Sequence, residues 1–280
     1  MEIGFSVNDA VRKRYSVRTY DAQAVEQEVK EKLLIYGVAL QNPLGPKVKL
    51  RFIEKNPAAD GEKLGTYGVI KGAGLYLGAL IADEETAPEA LGYEFEQLVL
   101  YATSLGLGTC WLGGTFNRGA FAAAMDIGES ELFPIISPVG YPAAQQRITE
   151  RLFRRTLGAD KRMPWDSLFF HNDFGKPLSR EAAGRYEYPL EMLRMAPSAV
   201  NLQPWRVVLD GNAFHFFEKH ARGGKVVGTV DMQRIDVGIA MCHFHLAAQE
   251  TGLSGRFVRN QPDTLNIPEN TTYVASWVME

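Results

Sequence analysis

Cysteine is nearly absent: the 280-residue chain carries two, Cys110 and Cys242. They stand far apart, without the paired spacing of a zinc or redox motif. That excludes a disulfide-stapled scaffold and predicts reduced thiols in a cytoplasmic protein. Long apolar runs are missing too. The longest, Leu75–Ala82, falls far short of the ~20 residues of a membrane span and reads as a buried strand, so no membrane contact is expected. Met1–Ser6 has neither a basic start nor an apolar stretch, so no signal peptide is expected. An excess of one charge is lacking as well. Thirty basic and 33 acidic residues leave a formal net charge of −3, which argues against nucleic acid as a partner. Histidines at metal spacing are absent from the clearest candidate. His243 and His245 are two apart and point to different sides of a helix, so no metal is expected there. Gly106-x-Gly108 follows a helical pattern, and Trp111 stands where a dinucleotide fingerprint needs its third glycine. A Rossmann domain is therefore not expected.

What is present fits a globular α+β protein. Hydrophobic residues make up 46% of the chain, enough for a sizeable core. Val25, Val29, Leu33 and Leu34 share one helical face. Phe95, Leu98, Val99, Ala102 and Leu105 form a stronger one, and Ile235, Ile239, Cys242 and Leu246 a third. The last two helices are apolar around much of their circumference and are expected at the centre. Strands are predicted at Val48–Ile53, Leu75–Ala82, Phe133–Val139, Trp205–Leu209, Phe214–Phe217 and Tyr273–Met279. Asn56–Tyr67 reads as an exposed loop, Gly158–Glu187 as a polar, turn-rich crossing, and Glu84-Glu85 and Glu94–Glu96 as solvated charge clusters.

Two segments carry the chemistry. In Ala196-Pro-Ser-Ala-Val-Asn-Leu-Gln-Pro-Trp205, two prolines restrict the backbone around Ser198, Asn201 and Gln203. Such a loop is either an ordinary turn or a grip for a flat heteroaromatic ligand with polar edges. Near the start, Ser6 and Asp9 resemble a capping box that opens a short helix. That helix leads into Arg14-Tyr15-Ser16-Val17-Arg18-Thr19-Tyr20. The two arginines are either solvated cations at a helix end or, with Ser16, a phosphate clamp built on planar guanidinium donors.

Together these segments resemble the nitroreductase family of FMN-dependent oxidoreductases. Arg14, Ser16, Arg18 and Tyr20 match its Arg-x-Ser-x-Arg-x-aromatic element. Pro197, Ser198, Asn201, Gln203, Pro204 and Trp205 match its Pro-Ser-x-x-Asn-x-Gln-Pro-Trp element. Gly106–Gly114 resembles the family's flavin-facing segment, Pro138–Pro142 its Gly-Tyr-Pro turn, and Lys161–Pro164 its basic tail element. The resemblance implies a nitroreductase-like fold of mixed sheets flanked by helices. It also implies an FMN held by Arg14, Tyr15, Ser16, Arg18, Trp111, Leu112, Gly113, Gly114, Arg162, Pro197, Ser198, Ala199 and Asn201. NADH or NADPH would supply electrons, and a small-molecule acceptor such as a nitroaromatic or quinone would take them. The flavin would carry the chemistry, so no side chain is assigned as catalytic. The alternative is a non-catalytic protein that binds or sequesters flavin.

The order of the motifs departs from the family pattern. The Pro-Ser loop lies about a domain length after the Arg-Ser element, and its usual place holds a degraded version, Ala39–Gly45. Leu100–Trp111 also compares with Leu246–Phe257. The expectation is an internally duplicated pseudo-dimer, with halves 1–160 and 161–280 sharing one FMN site in a monomer.

Overall fold

Two long helices organise the molecule: α3 (Ala87–Ser104) and α6 (Met232–Glu250). Pro88 is tolerated in the first turn of α3, where its missing N–H has no helical partner. Asp231 caps α6 by accepting from the Gln233 N–H at 2.9 Å. The two helices pack face to face so tightly that side chains are excluded at the crossing. A Cβ on Gly92 would lie 2.1 Å from the Ile235 carbonyl oxygen, and one on Gly238 would lie 2.1 Å from that of Glu89. The contact is reciprocal, each glycine meeting the carbonyl three residues before the other. Both helices also stop alike. The Leu107 N–H reaches back to the Ala102 carbonyl at 3.0 Å, and the Leu253 N–H to that of Ala248 at 2.9 Å. Each stop uses a glycine in the left-handed region, Gly106 at φ +80° and Gly252 at φ +72°. One constant offset in residue number relates all of these pairs.

The computed structural model describes residues 3–54, 64–128, 131–145, 147, 150, 152, 155–220, 226–263 and 265–280. Before α3 come α1 (Val7–Lys13), α2 (Gln27–Ala39), β1 (Val48–Glu54) and β2 (Leu75–Ile81). After it come β3 (Gly108–Thr109), α4 (Arg118–Ala124) and β4 (Leu132–Gly140). The later part holds β5 (Phe169–His171), β6 (Asp173–Pro177), α5 (Glu187–Arg194), β7 (Trp205–Asp210) and β8 (Ala213–Lys219). A short ladder, β9 (Val226–Val227) with β10 (Val230–Asp231), leads into α6, followed by β11 (Gly255–Val258) and β12 (Thr271–Met279).

The first sheet runs β1-β2-β4-β3 and the second β11-β12-β8-β7-β5-β6. The run β7-β8-β12-β11 repeats the order of the first sheet, and both runs are antiparallel throughout. Only β5, which joins β7 in parallel, makes the second sheet mixed. One large core draws on both sheets and both central helices, with Phe95, Leu98, Trp205, Phe244 and Trp277 fully buried. A smaller cluster around Tyr76, Phe121 and Ile136 lies on the other side of the first sheet.

All six predicted strands are present, displaced by a residue or two at their ends. Other expectations need correcting. Gly158–Glu187 is not an irregular crossing: it contributes β5, β6 and a one-turn helix at Arg180–Ala183. Val25 is buried but precedes α2, and Leu34 faces outward at 41% exposure. Part of Asn56–Tyr67 falls outside the described residues; of the remainder, Leu64 and Thr66 are buried and Tyr67 is exposed. Glu94 and Glu96 are not solvated, since both lie on the packed circumference of α3 with polar partners waiting there. No helix among the described residues is long and apolar enough to cross a membrane.

Candidate functional site

The Ser6 cap forms as the sequence predicts, its hydroxyl accepting from the Asp9 N–H at 3.3 Å. It opens α1, whose C-cap is Arg14. Beyond the cap the chain runs alongside β3: Ser16 bridges Thr109, and the Val17 N–H donates to the Thr109 carbonyl at 2.8 Å. This pairing carries the Arg-Ser segment onto the exit of α3. Arg14 is not a solvated helix-end cation. Its side chain is 7% exposed, and Nε lies 3.8 Å from Oε1 of the fully buried Glu96. Ser16, Arg18 and Arg14 all surround the Cys110 thiol. Burial raises its pKa, while Arg18, the Ser16 hydrogen bond and Arg14 act in the opposite direction. Tyr20 is structural: its hydroxyl donates to the Val17 carbonyl at 2.9 Å and closes the turn. Glu150 and Arg147 complete the support. Glu150 accepts from the Arg18 N–H at 3.2 Å, and Arg147 donates to the Val69 carbonyl at 2.8 Å.

Trp111 joins this cluster through Glu96. Its indole N–H donates to Glu96 Oε2 at 2.8 Å, and its ring meets Phe95 edge to face. His243 of α6 lies 2.9 Å from Oε1 of the same carboxylate. The other ring nitrogen, Nδ1, is 3.0 Å from the Met192 carbonyl, an acceptor only, so Nδ1 carries a proton and Nε2 shares one with Glu96. Glu96 therefore ties together α1, α3, the segment after β3 and α6. Leu112 is buried and exchanges hydrogen bonds with Ile136. Gly113 lies under Met232 at the start of α6, where an added Cβ would come 2.4 Å from the Met232 methyl. Gly114 is exposed.

The Pro-Ser loop forms a second cluster about two turns along α6 from His243. Both Asp236 carboxylate oxygens accept from the Ala199 N–H, at 3.1 and 3.0 Å. The Ser198 hydroxyl accepts from the Gln203 N–H at 2.8 Å. Asn201 Nδ2 donates to the Gly158 and Lys161 carbonyls at 2.8 and 3.0 Å, and Gln203 Oε1 accepts from the Met163 N–H at 2.7 Å. Arg162 reaches the Met195 carbonyl at 3.1 Å. Arg162 and the loop are thus laced together. Val200, Asn201 and Gln203 have φ of +45°, +60° and +50°. A β-branched residue in that region is strained, and strain of this kind gathers at functional sites.

Two sets of predicted residues therefore form: Arg14, Tyr15, Ser16 and Arg18 with Trp111 and Leu112, and Arg162 with Pro197, Ser198, Ala199 and Asn201. They are linked by α6 and by the Met192–Met195 segment. Sequence reasoning missed the connectors Glu96, His243 and Asp236, which sit on strongly apolar helices where a polar residue needs a buried partner. That placement was the available signal.

The model of the family described as "Putative TM nitroreductase" matches residues 6–248. The chain belongs to this family. Among solved structures, a "putative nitroreductase" of Thermotoga maritima is 20% identical, with a TM-score of 0.63 over 98% of this chain and 94% of that one, which shows the shared fold. A "putative nitroreductase in complex with FMN" from Desulfovibrio desulfuricans is 24% identical and covers 52% of this chain and 94% of its own, with a TM-score of 0.41. A "nitroreductase with bound FMN" from Bacteroides fragilis is 17% identical over 51% and 91%, with the same TM-score of 0.41. No curated protein matches the chain significantly.

Proposed function

We propose that this family member is an FMN-dependent NAD(P)H oxidoreductase whose cofactor lies between the Arg14–Arg18 segment and the Pro197–Asn201 loop. The observation that carries the reading is the Glu96 node. It holds the Arg-Ser segment and Trp111 against the same helix whose Asp236 anchors the Pro-Ser loop. The donor chemistry suits the group. Arg14, Arg18 and Arg162 are cations for a phosphate, Ser16 adds a neutral donor, and Trp111 offers an aromatic face beside the bare backbone of Gly113 and Gly114. Asn201 has committed Nδ2 to the 158–161 backbone, which leaves Oδ1 as its acceptor for a ring or ribityl donor. When bound, FMN would supply ping-pong electron transfer from NADH or NADPH to a nitroaromatic, quinone or similar acceptor. The chain's own residues would orient and neutralise, and the flavin would carry the chemistry.

The four-strand order shared by the two sheets, the matched helix ends and the reciprocal glycine contact support an origin by duplication. The halves would be 1–160 and 161–280, with one FMN per chain in a monomer. The buried free thiols Cys110 and Cys242 accord with a reducing cytoplasm.

Purified protein should show a flavin absorption band at one FMN per chain, bleached anaerobically by NADH or NADPH. Arg18→Ala should weaken FMN binding about 10- to 150-fold, the range for one charge-assisted hydrogen bond. Unchanged affinity in that variant would remove the phosphate clamp from the argument. A second reading, flavin binding without turnover, is favoured by one contact: Met232 covers Gly113. Tightly held flavin that neither nucleotide reduces would select it.

A further inference from the structure

Among the described residues, Glu218, His220 and Asp231 bring their ligand atoms within 4.8 Å of one another. They arrive from two directions. Glu218 and His220 are two apart at the end of β8, a spacing that puts them on one face of extended chain. Asp231 is the last residue before α6. Glu218 is 1% exposed, and its Oε1 is fully buried without a hydrogen-bond partner. His220 Nδ1 is only 3.0 Å from that oxygen but is not aligned to donate to it. The other ring nitrogen, Nε2, is 2.8 Å from the Thr272 hydroxyl. A Thr272 hydroxyl holding Nε2 fixes the ring so that Nδ1 turns toward the carboxylates, the arrangement found behind metal-bound imidazoles.

We propose that Glu218, His220 and Asp231 form a site for a divalent transition-metal cation, independent of the flavin. A buried carboxylate oxygen with no aligned proton donor is costly, and His220 Nδ1 at 3.0 Å leaves Glu218 Oε1 in that position. A metal ion satisfies both atoms at once. Bonds of about 2.0–2.2 Å to nitrogen and oxygen place ligand atoms roughly 3–4.4 Å apart, close to the spacing of the trio, in which Nδ1 and Oε1 are 3.0 Å apart and all three lie within 4.8 Å. The wider surroundings call for the same charge. Glu89 and Asp236 lie on the helices behind; of the arginines acting on Glu89, Arg234 is bound to it at 2.7 Å and Arg259 is paired with Glu85 at 2.8 Å. One imidazole with two carboxylates suits zinc, manganese or iron(II) over calcium, and three protein ligands leave a position open to solvent beside His220.

The test is calorimetric titration of zinc chloride, and separately manganese chloride, into the full-length protein after chelator treatment. One ion per chain is expected. His220→Ala, at a side chain 40% exposed, and Asp231→Asn should each weaken binding at least tenfold. Thr272→Val should weaken it several-fold by releasing the ring while leaving every ligand in place. Circular dichroism and FMN content report whether each variant is folded. Binding of neither metal to the native chain, or binding that His220→Ala leaves unchanged in a folded protein, would overturn the proposal. The result would then describe a carboxyl group that keeps its proton in the fold.

Discussion

The loops that lead into β1 and β7 stand ahead of matching four-strand runs in the two sheets, yet they spend their polar groups differently. In the first loop Asn42 is consumed locally. Its amide nitrogen donates to the Pro46 carbonyl and to Glu94, and its oxygen accepts from the Leu44 and Gly45 N–H groups. That uses all four of its hydrogen-bonding positions. In the second loop the anchor is a backbone N–H, that of Ala199, held by Asp236 on α6. Asn201 and Gln203 then reach outward to the 158–163 segment, from a backbone forced into the left-handed region. A loop closed on its own side chain keeps nothing for a ligand. A loop anchored through its backbone can use its side chains to brace the neighbouring 158–163 segment, with Asn201 Oδ1 left over. The comparison shows how loops in matching places can close on themselves in one case and brace a neighbouring segment in the other.

The largest expected effect tests the frame behind both loops. Gly92→Val and Gly238→Val each force a side chain into a carbonyl of the opposing helix. Each should cost about 4 kcal/mol or more, the range reserved for severe core disruption. If the two halves are equivalent at the crossing, denaturant titration should give losses within about 1 kcal/mol of each other. A severe loss in one and a mild loss in the other would break the equivalence.

Next in size is the Glu96 node between α3 and α6. Glu96→Ala removes the acceptor for the Trp111 indole and the His243 ring and should cost about 3 kcal/mol, as loss of one partner in a buried polar network does. Glu96→Gln keeps an acceptor and should lose less. Trp111 fluorescence should respond to the alanine variant even where the protein remains folded. An unchanged spectrum would detach Trp111 from the node.

How much of this was legible in the sequence follows from what each element buries. β2 is buried at every residue, so its apolar run was unmistakable, and α3 and α6 were too apolar to lie anywhere but the centre. β5 and β6 were hidden: they are three and five residues long, mostly half-exposed or exposed, and β5 owes its conformation to parallel pairing with β7. Glu94 and Glu96 were misread for a related reason. A charge on a helix looks solvated until its partner is known, and Asn42 and His243 lie far away along the chain. The motif residues of the candidate site were visible in order but not in grouping. Nothing in Arg14-Tyr15-Ser16 announces that the first arginine turns inward to a carboxylate on α3.

A smaller effect separates the two loop anchors by pH. Burial raises Glu94 to about 7, with the Asn42 hydrogen bond opposing. Its ordinary value is 4.5, so between about pH 4.5 and 7 the folded state holds a proton that the unfolded chain has released. Stability from this group therefore falls as pH rises through that window and levels off above it. The full shift corresponds to at most about 3 kcal/mol. Glu94→Gln cannot ionise and should flatten the slope, matching the native protein near pH 5 and exceeding it near pH 8. A parallel slope in native protein and variant would show that the first loop gains nothing from a protonated Glu94.

The smallest effect is the one aimed most directly at the second loop. Val200 is 61% exposed at φ +45°, where a β-branched side chain crowds its own backbone. Glycine adopts that conformation freely, but the unfolded chain also gains freedom, and the two contributions oppose each other. Strain at such a position is worth roughly 1–3 kcal/mol, so Val200→Gly should stabilise the flavin-free protein by about 1 kcal/mol at most. The informative quantity is the accompanying change in FMN affinity. If the strain serves to present Asn201 and Ser198, relaxing the backbone should weaken FMN binding while the melting temperature holds or rises. Stabilisation with unchanged FMN affinity would instead make the left-handed pair a by-product of the Asp236 anchor, and the second loop would differ from the first only in which atoms tie it to its helix.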